Sequence, residues 1–199
     1  MVTESGARWC ERPDVAVDAS TLASLRRCRR ILVLGPSGAG KTHLTRDLAA
    51  ILRIEAIHLD DHRRPSDGEP CGDREWREIV KDLSARESWI MDGTYERSLD
   101  LRMPRADAVI LLECPTELCL ERVLRRERER PIPPRCEGGE ASSDPIDPHH
   151  VRYISEYAWV TRPVVLDHLE RYGRSKTVAV LPAPEAVGPF LSALHRIAS

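Results

Sequence analysis

Short apolar runs alternate with longer stretches of helical periodicity along most of this chain. The runs predict strands near residues 30–34, 54–59, 88–92, 107–113 and 176–181. Apolar residues at helical spacing predict helices near residues 41–52, 73–86, 116–129, 151–172 and 184–197. Strands that alternate with helices are typical of a parallel sheet with helices on both faces. The pattern therefore predicts a single α/β domain.

Residues 1–28 interrupt the alternation at the start of the chain. We interpret them as an N-terminal extension to a domain at 29–199. Within this region the stretch from Thr21 to Arg30 predicts a short amphipathic helix, capped by Ser20 or Thr21. The residues before that helix predict a poorly ordered lead-in.

A second interruption lies at residues 131–150, which hold five prolines, two adjacent glycines and several acids. This composition favours a mobile loop over a packed element. Because helical periodicity lies on both sides, we interpret the segment as an insertion between two helices. We expect His149 and His150, at its end, to cap the helix that follows.

Composition and charge exclude several classes of protein. The 199 residues, 41% of them hydrophobic, are enough for one well-packed domain. No apolar run is long enough for a transmembrane helix, and residues 1–14 lack the apolar segment of a secretory signal, so we expect a cytoplasmic protein. A net charge of −2 argues against a general nucleic-acid binder. The cysteines form no C-x-x-C pair, so we expect reduced thiols rather than zinc ligands or disulfides. Oligomeric state stays open.

Residues 35–42, with the sequence GPSGAGKT, fit the phosphate-binding P-loop pattern GxxxxGK[ST] at every fixed position. An apolar strand precedes them and a helical stretch follows, which is the context that the pattern requires. Glycines let backbone N–H groups surround a polyphosphate, the lysine can reach the β- and γ-phosphates, and the Thr42 hydroxyl can ligate Mg²⁺. The residues expected to contact a nucleoside triphosphate are Gly35, Pro36, Ser37, Gly38, Ala39, Gly40, Lys41, Thr42 and His43.

An aspartate ends the predicted third strand, in the segment WIMDG at 89–93. If this strand lies beside the strand before the P-loop, Asp92 falls next to the Mg²⁺ site and can hold the ion directly or through water. An Asp-Gly turn at a strand end is the structural alternative. We favour the metal role, because a P-loop requires such an acid.

Two further acids lie at the end of the predicted second strand, in the segment IHLDD at 57–61, where Asp60 ends the strand and Asp61 comes next. Open α/β sheets bind their ligands at this carboxyl edge. Asp60 can orient an acceptor hydroxyl there or take its proton, and Asp61 is the alternate candidate. Adjacent side chains on an extended segment point in opposite directions, so we expect one of the two to face the phosphates. A solvated acidic turn is the structural alternative.

Arginines cluster at the end of the predicted helix 116–129, in the segment ERVLRRERER at 121–130. Arg122 and Arg126 are about one helical turn apart and can close over a bound triphosphate to neutralise charge in the transition state. The same run also makes favourable Glu–Arg pairs, so a solvated helix is the alternative.

The segment GTYERSLDLR at 93–102 offers three candidates for acceptor binding. Arg97 and Arg102 can hold an acceptor or its phosphate through paired hydrogen bonds. Tyr95 precedes them and is the third candidate. Ordinary surface positions are the alternative for the two arginines.

Histidines raise the question of a metal held by protein groups alone. His58, Asp60 and His62 alternate along one stretch and are possible ligands by type. Three such groups seldom complete a site, and a histidine at a strand end more often packs or makes a hydrogen bond. We therefore expect that the metal is Mg²⁺ carried with the nucleotide.

Together these segments resemble the adenylate kinase-related P-loop kinases, and among them the topology modulation protein (FlaR-like) subgroup. The resemblance runs from about Arg29 to the C-terminus, and its segments are the P-loop, IHLDD, WIMDGTYERSLDLR at 89–102 and ADAVILLECPTELCLERVLRR at 106–126. It implies the three-layer P-loop NTPase fold, with a five-stranded parallel sheet in the order 2-3-1-4-5 and helices on both faces. It also implies a lid insertion over the ATP, here at about 122–150, and an acceptor-binding region at about 61–87.

These observations predict a kinase that uses ATP and Mg²⁺ and moves the γ-phosphoryl group to a small acceptor with a hydroxyl or phosphate group. The acceptor classes are nucleosides, nucleotides and small metabolites. The expected catalytic residues are Lys41, Asp60, Arg122 and Arg126. Two alternatives stay open: an ATP-binding regulatory protein whose occupancy moves the loop at 131–150, and a nucleic-acid-linked NTPase.

Overall fold

The computed structural model describes residues 17–63, 71–129 and 147–198. Its strands are β1 (Arg30–Leu34), β2 (Ala56–His58), β3 (Trp89–Asp92), β4 (Ala108–Leu112) and β5 (Thr177–Leu181). Its helices are α1 (Ala19–Leu25), α2 (Lys41–Leu52), α3 (Leu59–Arg63), α4 (Asp73–Ala85), α5 (Leu99–Arg102), α6 (Thr116–Arg128), α7 (Pro148–Glu156), α8 (Thr161–Tyr172) and α9 (Val187–Ala198). Short 3₁₀ turns lie at Glu96–Ser98, Met103–Arg105, Gly173–Ser175 and Pro184–Ala186.

All five strands join one parallel sheet in the order β2-β3-β1-β4-β5. The order 2-3-1-4-5 implied by the family resemblance is therefore confirmed. β1 pairs with β3 on one side and β4 on the other, and Val33 of β1 lies opposite Asp92 of β3. The strand that ends in Asp92 thus lies beside the strand that leads into the P-loop.

Side chains of the central strand alternate between two apolar layers. Leu32 and Leu34 of β1 point into the layer formed with α4, α5 and α8, whereas Ile31 and Val33 point into the layer formed with α1, α2, α6, α7 and α9. All four side chains are fully buried. Full burial of one such side chain contributes about 1.5–3 kcal/mol. The predicted arrangement of a sheet between two helical layers follows from strands that are apolar on both faces.

The prediction of one helix at 151–172 is wrong, because the segment forms α7 and α8 with a turn between them. In the turn, the Tyr157 carbonyl accepts from two successive N–H groups, which interrupts regular helical hydrogen bonding. Ile154 of α7 packs in one apolar layer and Val165 of α8 in the other. One straight helix cannot reach both faces of the sheet, although the apolar spacing along the sequence is continuous.

The helix predicted within the extension is α1, and it begins earlier than expected. Its cap is Asp18, whose Oδ1 accepts from the Thr21 N–H at 2.7 Å, so the predicted caps Ser20 and Thr21 are wrong. Leu25 of α1 is fully buried in the apolar layer that also contains residues of α9. This helix is therefore packed against the sheet domain.

The second strand is shorter than predicted, since β2 ends at His58 and α3 begins at Leu59. Asp60 therefore lies on the first turn of a helix, and the prediction that it ends an extended strand is wrong. The partial positive charge of a helix N-terminus favours an acid at this position.

Several expectations fall on residues outside the described ones: the lead-in at 1–16, the segment 64–70 of the acceptor region, and residues 130–146 of the lid. Among the described helices, none is long and apolar enough to cross a membrane. The cysteines within the described residues are free thiols, namely Cys28, Cys71, Cys114 and Cys119.

Candidate active site

The P-loop follows β1, and its glycines allow it to approach α6 closely. Gly38 has a φ of +86°, and a Cβ there would lie 2.5 Å from the Cys119 carbonyl oxygen of α6. Gly40, immediately before α2, has a left-handed backbone with a φ of 98°. Only glycine adopts such conformations readily, and only glycine permits this contact with α6. The loop therefore leads directly into the N-terminus of α2, where N–H groups and the helix dipole attract anions.

Lys41 is the first residue of α2 and folds back over the loop. Its Nζ donates to the Pro36 carbonyl at 2.8 Å. Burial lowers the pKa of the Lys41 ammonium, whereas the charges of Asp60 and Asp92 raise it. Both predicted carboxylates therefore lie close enough to Lys41 to act on its charge.

Asp92 is 2% exposed at the end of β3. Its Oδ2 lies 2.7 Å from Nδ1 of His58 on the neighbouring strand β2. Burial raises the pKa of Asp92, while the hydrogen bond and charge of His58 and the charge of Lys41 lower it. A buried carboxylate of this kind is stabilised by any further cation that approaches it.

The loop after β3 connects the P-loop with Asp60. The Thr94 hydroxyl donates to the Gly35 carbonyl at 2.6 Å and lies 3.3 Å from the Gly35 nitrogen. The Tyr95 hydroxyl donates to Asp60 Oδ1 at 2.7 Å. Burial, together with the Asp60 carboxylate, raises the pKa of Tyr95, so its hydroxyl stays protonated and continues to donate. Two consecutive residues thus contact the first residue of the P-loop and the acid on α3.

Lys41, Asp60 and Asp92 border one cleft of about 670 Å³, a volume in the range of small-molecule sites. Gly35 and Pro36, the first two residues of the P-loop, are buried and do not line the cleft. The other predicted residues that line the cleft are Ser37, Gly38, Ala39, Gly40, Lys41, Thr42, His43, Asp60, Asp92, Arg122 and Arg126. The cleft therefore brings the residues expected to contact phosphate and metal together with Asp60, the acid expected to orient the acceptor.

The two predicted arginines of α6 differ in their surroundings. Arg122 donates from Nη1 to the Gly38 carbonyl at 3.3 Å and so holds α6 against the P-loop. The Arg126 side chain is 65% exposed and lies 3.9 Å from the carboxylate of Glu127. Arg126 is therefore the more accessible of the two to a bound anion.

The four residues predicted to bind the acceptor are not among those that line this cleft, namely Asp61, Tyr95, Arg97 and Arg102. Asp61 is exposed on α3. Arg97 is 83% exposed and lies 3.6 Å from Asp73 of α4. Arg102 is fully buried in α5, and its guanidinium donates to backbone carbonyls. The structure thus gives Arg102 contacts within the protein rather than an open surface.

The sequence predicted no role for one side chain at this site, a general role for a second and a different role for a third. Thr94 lay inside a motif but received no function, and His58 only a packing or hydrogen-bonding role. His150 lies with its Nε2 2.8 Å from Ser37 Oγ of the P-loop. Since Asp147 caps α7, the capping role expected for His149 and His150 is wrong. Each missed contact joins segments that are distant in the sequence, and no local pattern identifies it.

A divalent cation would need ligands from both protein and nucleotide. Among the described residues, no group of three or more His, Cys, Asp or Glu could hold a metal ion. The Thr42 hydroxyl and the Asp92 carboxylate line the same cleft, and both are the oxygen donors that Mg²⁺ prefers. Completed by phosphate oxygens and water, this donor set fits Mg²⁺.

Comparisons with known proteins establish the fold. No family model matches the sequence, and no curated protein matches it. The solved structure of shikimate kinase from Acinetobacter baumannii, in complex with shikimate, matches with a TM-score of 0.55 at 18% identity, over 88% of this chain and 96% of that chain. The chain has the fold of this shikimate kinase.

Two other solved kinases also match over most of their length. Shikimate kinase from Aquifex aeolicus has a TM-score of 0.47 at 19% identity, over 85% of this chain and 98% of that one. A gluconokinase from Sinorhizobium meliloti has a TM-score of 0.43 at 18% identity, over 85% of this chain and 93% of that one.

Proposed function

We propose that this chain transfers the γ-phosphoryl group of ATP to a small acceptor with a hydroxyl or phosphate group. The observation that carries the proposal is the convergence of Lys41, Asp92 and Asp60 on one cleft. Phosphoryl transfer requires that phosphates, metal and nucleophile be held together, and these three residues suit the three tasks. The Acinetobacter structure of the same fold is a shikimate kinase bound to shikimate, which supports a small-molecule acceptor.

On the nucleotide side, the P-loop N–H groups and the N-terminus of α2 attract phosphate oxygens. The Lys41 ammonium, now bonded to the Pro36 carbonyl, gains by exchanging that neutral acceptor for charged phosphate oxygens. We propose that Arg126 neutralises charge as the phosphoryl group moves, while Arg122 keeps α6 against the loop.

On the metal side, we propose Thr42 and Asp92 as the protein ligands of Mg²⁺. The ion, when bound, supplies positive charge that stabilises the transferring phosphoryl group. His58 contacts Oδ2 of Asp92, and we propose Oδ1 as the oxygen that binds the metal. This arrangement resembles the way in which a hydrogen-bonded neighbour orients a metal ligand in other proteins.

On the acceptor side, we propose that Asp60 orients the attacking hydroxyl and accepts its proton. Tyr95 donates to Oδ1 of Asp60, so Oδ2 is left to accept from the acceptor. Asp61 and Arg97 are exposed and are the proposed contacts for more distant parts of the acceptor. Within the P-loop kinases, the segment at 89–102 supports a relationship to the topology modulation protein subgroup.

The proposal is tested by a transfer screen with γ-labelled ATP and Mg²⁺ against nucleosides, nucleoside monophosphates and small hydroxylated metabolites. The expected result is label in one acceptor class and ADP release that depends on that acceptor. Lys41→Ala should abolish transfer, whereas Lys81→Ala, which changes an exposed lysine of α4 paired with Glu78, should retain it. If the rate of ADP release is the same without an acceptor as with each acceptor tested, the proposal is contradicted.

A second candidate is an ATP-binding regulatory protein. The contact between His150 and Ser37 favours it, because it joins the P-loop to the helix that follows the predicted lid. In that case ATP would change the protease sensitivity of the chain without transfer of label to any acceptor. The same screen therefore separates the two candidates.

A further inference from the structure

Arg102 is a fully buried cation at the end of α5. Its Nη1 donates to the Gly93 carbonyl at 2.7 Å, and its Nη2 donates to the carbonyls of Thr94 at 2.5 Å and Tyr95 at 3.2 Å. The carbonyls of three consecutive residues therefore converge on one guanidinium. Only arginine offers several N–H donors in a fixed planar fork of this kind.

The backbone of this loop is unusual and needs such support. Gly93 has a φ of +111° and Tyr95 a φ of 33°, so both have left-handed conformations. A non-glycine residue in this region is strained and persists only where its surroundings hold it. The hydroxyl of Ser98 also donates to the Tyr95 carbonyl, at 3.0 Å. Two side chains that come later in the chain, Ser98 and Arg102, thus hold the strained residue.

Burial of a charge has a large desolvation cost, which these hydrogen bonds only partly offset. An apolar side chain of similar length would fill the same space without that cost. A purely space-filling role therefore does not explain an arginine at this position. The hydrogen bonds to the loop do explain it, since an apolar side chain cannot make them.

The loop that Arg102 holds contacts both halves of the cleft. Thr94 bonds to Gly35 at the start of the P-loop, and Tyr95 bonds to Asp60 on α3. We propose that Arg102 is a positioning residue, which fixes the loop at 93–95 and thereby sets the spacing between the P-loop and the acceptor-orienting Asp60. The inference deepens the proposed function and rests on it for the role of Asp60, but it also predicts effects that need no acceptor.

The test uses the full chain labelled with tyrosine that carries ¹³C at Cζ, where the chemical shift reports hydrogen bonding of the hydroxyl. The chain has four tyrosines, and Tyr95→Phe assigns the signal of interest. Arg102→Lys keeps the charge but loses the fork, and Arg102→Met keeps an unbranched apolar stem but loses the charge and every N–H donor. Arg105→Lys changes an exposed arginine three residues away and is the matched control.

In both Arg102 variants the Tyr95 signal should move toward the position of a solvent-exposed tyrosine. The affinity for MgADP should fall by roughly tenfold. The loop at 93–95 loses its hydrogen bonds to the charged guanidinium, and through Thr94 it no longer holds Gly35 of the P-loop in place. Arg105→Lys should change neither measurement. MgADP binding and the chemical shift require no phosphate acceptor, so this result can be interpreted even if the acceptor screen fails. Likewise, unchanged Arg102 variants would not contradict a positive acceptor screen.

Two outcomes would overturn the inference. One is a folded Arg102→Lys or Arg102→Met protein that keeps both the Tyr95 signal and the wild-type MgADP affinity. The other is failure of both variants to fold at 25 °C by circular dichroism, which would make Arg102 a requirement for folding rather than a positioning residue.

Discussion

His58 holds Asp92 through a 2.7 Å contact between Nδ1 and Oδ2. The two residues lie opposite each other in the register of β2 and β3, so the contact crosses directly between neighbouring strands. One strand thus supplies the acid at the proposed metal site, and the next strand supplies the group that orients it. The acid is buried, and its orientation therefore depends on this imidazole and on other protein neighbours more than on solvent.

The first prediction concerns that contact. His58→Ala should raise the Mg²⁺ concentration needed for half-maximal ADP release by roughly ten- to a hundredfold, because Asp92 loses its orienting partner. Steady-state rates over a Mg²⁺ titration provide the measurement. His62→Ala, an exposed histidine on α3, is the control and should leave the titration unchanged. An unaltered Mg²⁺ requirement in His58→Ala would remove His58 from the metal site.

A second prediction concerns Asp60 and its partner. Asp60→Asn should reduce turnover by roughly a hundredfold or more while it changes ATP affinity little, since a general base acts in the chemical step. Tyr95→Phe should have a smaller effect, because it removes one hydrogen bond, whose net contribution is about 0.5–1.5 kcal/mol. The measurements are kcat and the KM for ATP with the acceptor found by the screen. If Asp61→Asn has the large effect instead, the acceptor role belongs to Asp61.

A third prediction concerns stability and pH. Burial, followed by the charge of Arg126, lowers the pKa of His150, whereas the nearby charges of Asp147, Glu127 and Asp60 raise it. The folded protein therefore binds the proton less readily than the unfolded chain, whose histidine titrates near 6.5. Stability should be fully present above that pH and should fall as the pH drops toward the lower pKa of the folded state.

His150→Gln removes this titration, so its free energy of unfolding should decline less than that of the wild type between pH 7 and pH 5. Urea unfolding at pH 7, 6 and 5 provides the comparison. His149→Gln changes the exposed neighbour and should follow the wild type. Equal pH dependence in His150→Gln and the wild type would show that His150 does not titrate differently on folding.

A fourth prediction separates two glycines of the P-loop. Gly40→Ala should cost roughly 1–2 kcal/mol of stability, because the residue has a left-handed backbone but its Cβ would meet nothing within 4 Å among the described residues. Gly38→Ala should cost a further 1–3 kcal/mol or so, because its Cβ would clash with the Cys119 carbonyl. Urea unfolding of the apo proteins measures both changes. Equal losses would mean that α6 lies farther from the loop.

Local patterns predicted much of this fold correctly. The bounds of β1 and α2 match the prediction, because an apolar strand, a glycine loop and a helix start are all encoded within a few residues. The sheet order followed from a resemblance and not from any local pattern, since pairing between strands is set by packing. Likewise, the apolar spacing at 151–172 could not show a break, because it continues through the turn between α7 and α8.

The candidate site likewise has a part that the sequence predicts and a part that only the tertiary structure shows. The sequence by itself determined the P-loop, Lys41, Thr42 and the acids that end up beside them, because each belongs to a motif whose chemistry depends on neighbouring residues. Only the tertiary structure decided that His58 orients Asp92, and that Arg102 lies beneath the loop instead of facing an acceptor. An arginine or histidine has the same local propensities whether exposed or buried. Its role is set by which distant carbonyls and carboxylates the packed sheet and helices bring within hydrogen-bonding distance.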